Sequence, residues 1–242
     1  MVETIGTVRE IAERVAAVRV RMEAAAARGG RDPASVTLIA VTKTLSPETV
    51  RAAALTGLRE IGENKVQEAC AKRGELLDQP ALHWHLIGHL QRNKARRAVE
   101  TFDTIQSVDS LALATVLSDH AAARGSEMEV FAQVNISGEA TKSGFSSEQF
   151  ADQSAMLARL PALRWRGVMT IAPEGADEQG LRAVFGVTRG LRDAAVGVFS
   201  PTYWNALSMG MTSDFEIAIE EGATHVRVGR AIFGERTETV RA

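Results

Sequence analysis

VTLIAVTKTLSPETVRAAALTGLREIGENKVQEACAKRGELL, residues 36–77, passes twice from a short apolar run into a longer amphipathic one. VTLIAVT at 36 and LREIGE at 58 have the length and β-rich composition of strands, whereas SPETVRAAALTG and NKVQEACAKRGELL carry the spacing of helices with one apolar face. The alternation then continues along the chain. LHWHLIG at 82, FDTIQSVD at 102, MEVFAQVN at 128, LRWRGVMT at 163, TYWNALSM at 202 and THVRVG at 224 read as strands, with SLALATVLSDHAAARG, SSEQFADQSAMLARL and SDFEIAIEEG as helices among them. Such βα units favour parallel pairing, because a parallel connection needs a crossover of about a dozen residues or more and a helix supplies it. Eight strands within residues 36–234 fit a closed (β/α)8 TIM barrel better than an open doubly wound sheet.

Working outward, Val8, Ile11, Val15, Val18 and Met22 recur at helical steps, so an extra amphipathic helix within residues 1–30 precedes the barrel, ended by RGGRDP. No low-complexity linker divides residues 1–242, which predicts a single domain, with extended loops at 136–147 and 170–202. With 45% hydrophobic and 24% charged residues the composition is that of a soluble globular protein. The formal charge of -2 gives no field for specific nucleic acid or anionic membrane binding. No stretch has the apolar length of a membrane span or the layout of a signal peptide, so a cytoplasmic location is expected. The single cysteine, Cys70, lies in a helical apolar pattern with Val66, Ala69, Arg73 and Leu77 and reads as a core residue.

In such a barrel the chemistry gathers where strands end. Those ends are Lys43, then GEN at 62–64, Gly88 and His89, Asp109, Asn135, Met169 and Thr170, SMGMTSD at 208–214, and GRAIFG at 229–234. Ser208 and Gly210 precede a helix whose Ser213 and Glu216 are spaced as a capping box, and Gly229 and Arg230 occupy the matching place on the next strand. Loops after the seventh and eighth strands of barrels frequently bind phosphate on backbone N–H groups; turn glycines and a capping serine account for the same spacing equally well. Lys43, alone, reads as a snorkelling lysine. Sharing a rim with a phosphate pocket, it becomes an amine with reduced hydration, suited to a phosphorylated aldehyde.

His83 and His85 share a face of the third strand and, with His89, invite a metal reading; no cysteine or carboxylate at ligand spacing completes the set, and no metal is expected. His85 reads instead as a pocket hydrogen-bonding group and His83 as a deeper residue. The run HLQRNKARRA at 89–98, with Arg92, Lys94, Arg96 and Arg97 joined by the helix-end Lys72, reads as a solvated helix face, since no aromatic residues interleave for base stacking.

Taken together, AVTKT at 40–44, GENKVQE at 62–68, WHLIGHLQRNK at 84–94, VNISGEATKSG at 134–144, RGVMTI at 166–171 and the block LSMGMTSDFEIAIEEGATHVRVGRAIFG at 207–234 resemble one family. It is that of the single-domain pyridoxal 5'-phosphate (PLP) homeostasis proteins, the YggS/PROSC family. The resemblance implies a barrel like the N-terminal domain of alanine racemase, PLP fold type III, with PLP held as a Schiff base on Lys43. It further places Ser208, Gly210, Gly229 and Arg230 at the phosphate end, Arg227 near the pyridine nitrogen, and Asn64, His85 and Met169 around the ring and its linkage.

An arginine beside the pyridine nitrogen should leave it unprotonated and the cofactor a weak electron sink. The related two-domain racemases also use a tyrosine from a second domain, whereas this sequence has only Tyr203, expected within the seventh strand. The resemblance therefore implies a monomeric, non-enzymatic PLP carrier that could supply PLP-dependent apo-enzymes, the alternative being a racemase or lyase that moves protons through water or His85. His89, Lys65 and Arg230 depart from the family's pattern.

Overall fold

The computed structural model describes residues 7–139, 141–199 and 203–235. Eight parallel strands close in chain order: β1 Thr37–Val41, β2 Glu60–Glu63, β3 His83–Leu86, β4 Thr104–Val108, β5 Met128–Val134, β6 Leu163–Thr170, β7 Ala206–Ser208 and β8 His225–Val228. The ring is shut by β8 against β1, with Ile39 opposite Arg227 and Ala40 opposite Val228. This is the TIM barrel predicted from residues 36–77. The expected start of the first helix at 1–6, Ala140 of the loop at 136–147 and Thr202 of the expected seventh strand lie outside the described residues.

Around the strands run α1 Val8–Arg28, α2 Pro47–Leu55, α3 Val66–Glu75, α4 Ala95–Thr101, α5 Leu111–Ala123, α6 Ser147–Ala158, α7 Glu178–Phe199, α8 Phe215–Glu220 and the single turn α9 Arg230–Phe233. Local chemistry sets their starts. Ser46 and Ser110 each accept a backbone N–H three residues on, and Ser146 with Gln149 forms a reciprocal capping box. The N-terminal α1 buries Ile11, Val15, Val18, Met22, Ala25 and Ala26 against its neighbours and is tied to α8 by Arg21 on Glu216 at 2.9 Å. After it, Arg31 donates to the carbonyls of Ile219 at 2.9 Å and Ala223 at 2.7 Å, satisfying acceptors that the end of α8 leaves open.

Residues 170–202 were expected to form an extended loop, yet most of them build α7, the longest helix of the described residues at 22 residues. Its glycines at 180, 186, 190 and 197 obscure the pattern, because each weakens a helix by about 1 kcal/mol relative to alanine. The buried Leu181, Phe185, Thr188 and Ala195 nevertheless keep helical spacing, and Asp177 accepts the Gly180 amide at 2.8 Å at the helix entrance.

Alternation along each strand divides the core. Outward residues such as Ile61, Trp84, Ile105, Val130 and Leu207 pack under the helices. Inward, Phe131, Met169 and Ala206 form a small apolar cluster, and Gly62 lies so close to Ile39 and Ile87 that a Cβ there would meet them at 3.0 and 3.1 Å. Much of the interior is polar instead: Glu60, His83, His85, Thr104, Gln106, Ser208, His225 and Arg227 form a connected system.

His225 shows what that costs. Its Nδ1 lies 2.8 Å from the Thr224 hydroxyl and its ring 5.4 Å from Phe131. Burial first, then the nearby His85 and Arg166, push its pKa from 6.5 down to about 3. The folded state then holds His225 uncharged between these values while the unfolded chain takes up a proton, so stability falls as pH drops from about 6.5 toward 3, by up to about 1.4 kcal/mol per pH unit. We expect His225→Asn to flatten the decline of the urea midpoint below pH 6.5. An unchanged slope would show that the ring is protonated in the folded barrel.

Candidate functional site

Lys43 follows β1 by two residues, in inward phase with Ile39 and Val41, and is half-buried at the C-terminal rim. A turn holds it there: the Thr42 amide donates to Gly62 O at 2.9 Å, Leu45 N to Thr42 O at 3.0 Å, and Thr44 takes a φ of 66°. The turn rests on a buried clamp behind the barrel wall. Lys72 of α3 donates to Thr42 O at 2.8 Å, Glu63 Oε1 at 2.8 Å and Glu68 Oε1 at 2.7 Å. The Thr42 hydroxyl donates to Glu63 Oε1 at 2.6 Å, and the Thr44 amide to Glu68 Oε1. Lys72 is only 5% exposed, which corrects its assignment to a solvated cationic face. Burial raises the Glu63 pKa against the opposing pull of Lys72, and Glu63 Oε2 has no hydrogen-bond partner.

On the inner side, Arg227 is buried on β8 and donates through Nη1 to Ser208 O at 2.8 Å and Ser208 Oγ at 2.7 Å, and through Nη2 to Thr170 O at 2.8 Å. It thereby joins the ends of β6, β7 and β8. Ser208 donates to Gln106 Oε1 at 2.6 Å, Gln106 Nε2 lies 3.0 Å from His85 Nδ1, and His85 Nε2 lies 2.7 Å from Glu60 Oε2. His85 thus sits within the barrel with both ring nitrogens engaged, and burial lowers its pKa. Burial also lowers that of Arg227, to about 10, leaving a cation at neutral pH. Glu60 and Gln106 were missed in the sequence. Their signal was position alone, in phase on strands whose neighbours carry the polar partners.

Glu60 supplies the carboxylate that a metal reading of the histidines lacked, since ligand atoms of Glu60, His83 and His85 lie within 4.8 Å of one another. Gln106, however, donates to Nδ1, which leaves the His85 proton on Nε2, directed at Glu60. A metal at that nitrogen would have to displace the proton and reverse the bonds behind it. His89 is not part of the group; it is exposed on the rim, 3.1 Å from Asp109 and 3.0 Å from Ser143 Oγ.

Met169 is buried in the inner apolar cluster, while Gly210 and Gly229 open the loops after β7 and β8. Gly210 has φ +96°, and a Cβ there would lie 2.6 Å from Ala218 Cβ and 2.9 Å from Phe215 Cα, so the loop reaches α8 only with glycine. The expected Ser213/Glu216 capping box does not form. Asp214 occupies the N-cap and folds its carboxylate back to accept the Met211 amide at 2.6 Å, while Glu216 turns to Arg21. Ser208 directs its side chain inward to Gln106 and Arg227, and Arg230 is exposed. Arg92, Arg96 and Arg97 form the expected solvated face, and Arg97 donates to Cys70 Sγ at 3.1 Å. Cys70 is therefore half-buried under an arginine; the buried face of α3 is Val66, Ala69 and Lys72.

Asn64 borders a rim cavity of about 270 Å³ with Gly88, Gln133, Asn135, Lys142 and Ile171. Gly88 packs on the Asn64 backbone, where a Cβ would meet Asn64 O at 2.4 Å. Thr141, Lys142 and Ser143 of the expected loop line this cavity, and Asn135 Nδ2 donates to Glu139 O at 2.9 Å and Lys142 O at 3.0 Å. Tyr203 lies ahead of β7 rather than within it, toward the N-terminal ends of the strands, whereas Lys43 follows β1 at their C-terminal ends.

Residues 14–237 match the family model described as alanine racemase, N-terminal domain. The chain is 45% identical over 227 residues to the pyridoxal phosphate homeostasis protein of Pseudomonas aeruginosa, covering 93% of this chain and 96% of that one. PipY of Synechococcus elongatus PCC7942, in its structure with PLP bound, superposes with a TM-score of 0.82 at 40% identity, over 93% of this chain and all (100%) of that one. Alanine racemase of Clostridium difficile 630, at 14% identity, shares the fold with a TM-score of 0.69, over 85% of this chain and 54% of that one.

The clamp beneath the Lys43 turn can be tested by removing its cation. Lys72→Met leaves Glu63 and Glu68 without a buried partner charge, which should lower stability by about 3–5 kcal/mol at pH 7. The loss should shrink as pH falls, because Glu63, its pKa raised by burial, takes up a proton in the folded state before it would in the unfolded chain. A melting temperature equal to that of the parent at pH 7 would show that Lys72 is not the clamp.

Proposed function

The chain belongs to the pyridoxal phosphate homeostasis protein family, with a barrel of the alanine racemase N-terminal type, and on that premise we propose that it binds PLP at the C-terminal rim and holds and releases it without turning over a substrate. The donor set fits such a ligand. The rim carries an amine on Lys43, glycine-opened backbone at Gly210 and Gly229, and the side chain of Asn64 beside a cavity. When bound, PLP supplies an aldehyde that combines with an amine and a pyridine ring that draws electrons most strongly when its nitrogen is protonated. Lys43 would hold the aldehyde carbon, the amides around Gly210 and Gly229 with Arg230 would face the phosphate, and Asn64 and Met169 would border the ring.

The observation that carries the non-enzymatic reading is the buried Arg227, whose hydrogen bonds go to the Ser208 carbonyl and hydroxyl and the Thr170 carbonyl. Placed against the pyridine nitrogen, a guanidinium offers a proton donor that stays charged and leaves the nitrogen unprotonated. The two residues that a proton-moving enzyme would call on are badly placed for it. His85 is buried with both nitrogens bonded, and Tyr203 precedes β7, toward the end of the barrel away from the C-terminal rim.

We place the protein in the cytoplasm as a monomer that hands PLP to PLP-dependent apo-enzymes. No helix among the described residues is long and apolar enough to cross a membrane.

Incubation with PLP should give a yellow protein, and borohydride reduction followed by peptide mapping should place the label on Lys43; a colourless protein, or a label on another lysine, would overturn the assignment. In heavy water, single L-amino acids should exchange no more α-protons than there are protein molecules. Sustained exchange over many turnovers would make the protein an enzyme.

A further inference from the structure

Arginine can only donate hydrogen bonds, and this fixes the direction of every bond in the chain of contacts that begins at Arg227. Ser208 Oγ receives Nη1 at 2.7 Å and has one proton to give, which goes to Gln106 Oε1 at 2.6 Å. The Gln106 amide is thereby oriented, with its NH2 toward His85 Nδ1 at 3.0 Å. His85 must then be the tautomer that carries its proton on Nε2, donated to Glu60 at 2.7 Å. Charges of opposite sign close the two ends. Aligned bonds of this kind polarise one another, and each buried member depends on the next for its partner. Gln106 is fully buried and joins the two halves of the chain, its Oε1 accepting from Ser208 and its NH2 donating to His85.

Resting on the PLP reading above, we infer that Gln106 is a positioning residue for the cofactor: through Ser208 it immobilises Arg227 against the pyridine nitrogen, and it keeps His85 uncharged. Charged and titratable groups face His85 from several strands, with Glu60 on β2, His83 on β3 at 4.7 Å between rings, Asp103 before β4, and His225 on β8 at 6.5 Å. Burial disfavours a second proton on the imidazole, as does His83, while Glu60 and Asp103 favour it; the donor that Gln106 points at Nδ1 occupies the nitrogen that would receive it. Replacing that donor with an acceptor should reverse the outcome.

Two variants separate these roles. Gln106→Met keeps the volume and removes both bonds; Gln106→Glu keeps the acceptor for Ser208 and presents an acceptor to His85. Circular dichroism and melting curves first establish that each is folded. In PLP-free protein, nitrogen-15 NMR of the imidazole should show His85 as the uncharged Nε2–H form at pH 7 in the parent and as the doubly protonated form in Gln106→Glu. In PLP-loaded protein, Gln106→Met should bind PLP about tenfold more weakly. The long-wavelength absorbance of the bound PLP should titrate at lower pH, because a pyridine nitrogen no longer faced by a fixed guanidinium takes up a proton, and that charge makes the conjugated nitrogen linking Lys43 to PLP give up its own more readily.

An uncharged His85 in Gln106→Glu, or a Gln106→Met protein with the parent's PLP affinity and titration midpoint, would overturn the inference while leaving the PLP reading intact. A parent protein that takes up no PLP ends both.

Discussion

A guanidinium enclosed in a barrel has no bulk water to accept its protons, and the interior of this protein is arranged around that requirement. Arg227 spends its donors on the two strand ends nearest it, on Ser208 and Thr170, which ties β6 and β7 to β8 where the short β7 contributes only three residues to the wall. An unpartnered guanidinium in that position would incur the desolvation penalty of a buried charge, several kcal/mol, so the acceptors are obligatory rather than incidental. Because the serine hydroxyl that receives Arg227 must pass its own proton on, the requirement propagates to Gln106 and His85 and ends only at a carboxylate.

A second polar system stands on the other side of the wall. Lys72 reaches from α3 into the layer between helix and strands, and its ammonium joins the Thr42 carbonyl to Glu63 and Glu68. The two systems flank the strands on which Lys43 and Arg227 are mounted: one fixes the turn that carries the amine, the other fixes the cation on the adjoining β8. Rigid mounting matters for a binding site whose two anchors come from the first and last strands, because a ligand that must satisfy both gains affinity when neither has to be ordered on binding.

The parts of this design that were legible in the sequence are those that follow periodicity. Strand-length apolar runs placed all eight strands, with β6 found at its full extent of Leu163–Thr170, and put Lys43 at the end of the first. The errors have separate causes. Helix α7 was hidden by four glycines within it, although its buried stripe was present. The helix cap was assigned to Ser213 because serine and glutamate spacing fits a box, whereas the adjacent Asp214, with a longer reach and a buried place in the loop, takes the position instead. Lys72 was grouped with surface cations, since a lone lysine on a helix is ordinarily solvated. Only its placement opposite Glu63 and one turn after Glu68 makes it a core residue. Glu60 and Gln106 carry no local signature at all; their roles exist only once the barrel is closed.

The same closed interior bears on whether holding a cofactor and using it are separable. A catalyst of α-proton chemistry needs a strong electron sink and a group that can give and take a proton at the reacting carbon, near the solvent-facing rim. In the proposed pose the group beside the pyridine nitrogen is Arg227, whose pKa, even after burial, stays near 10, so it keeps its proton at neutral pH. The imidazole of His85 is spent as a link in the chain that holds Arg227. Removing the arginine would leave Ser208, Gln106 and His85 without the donor that sets their order. In the proposed pose the arrangement that secures the cation is thus also the one that presents the pyridine nitrogen with a donor that keeps its proton.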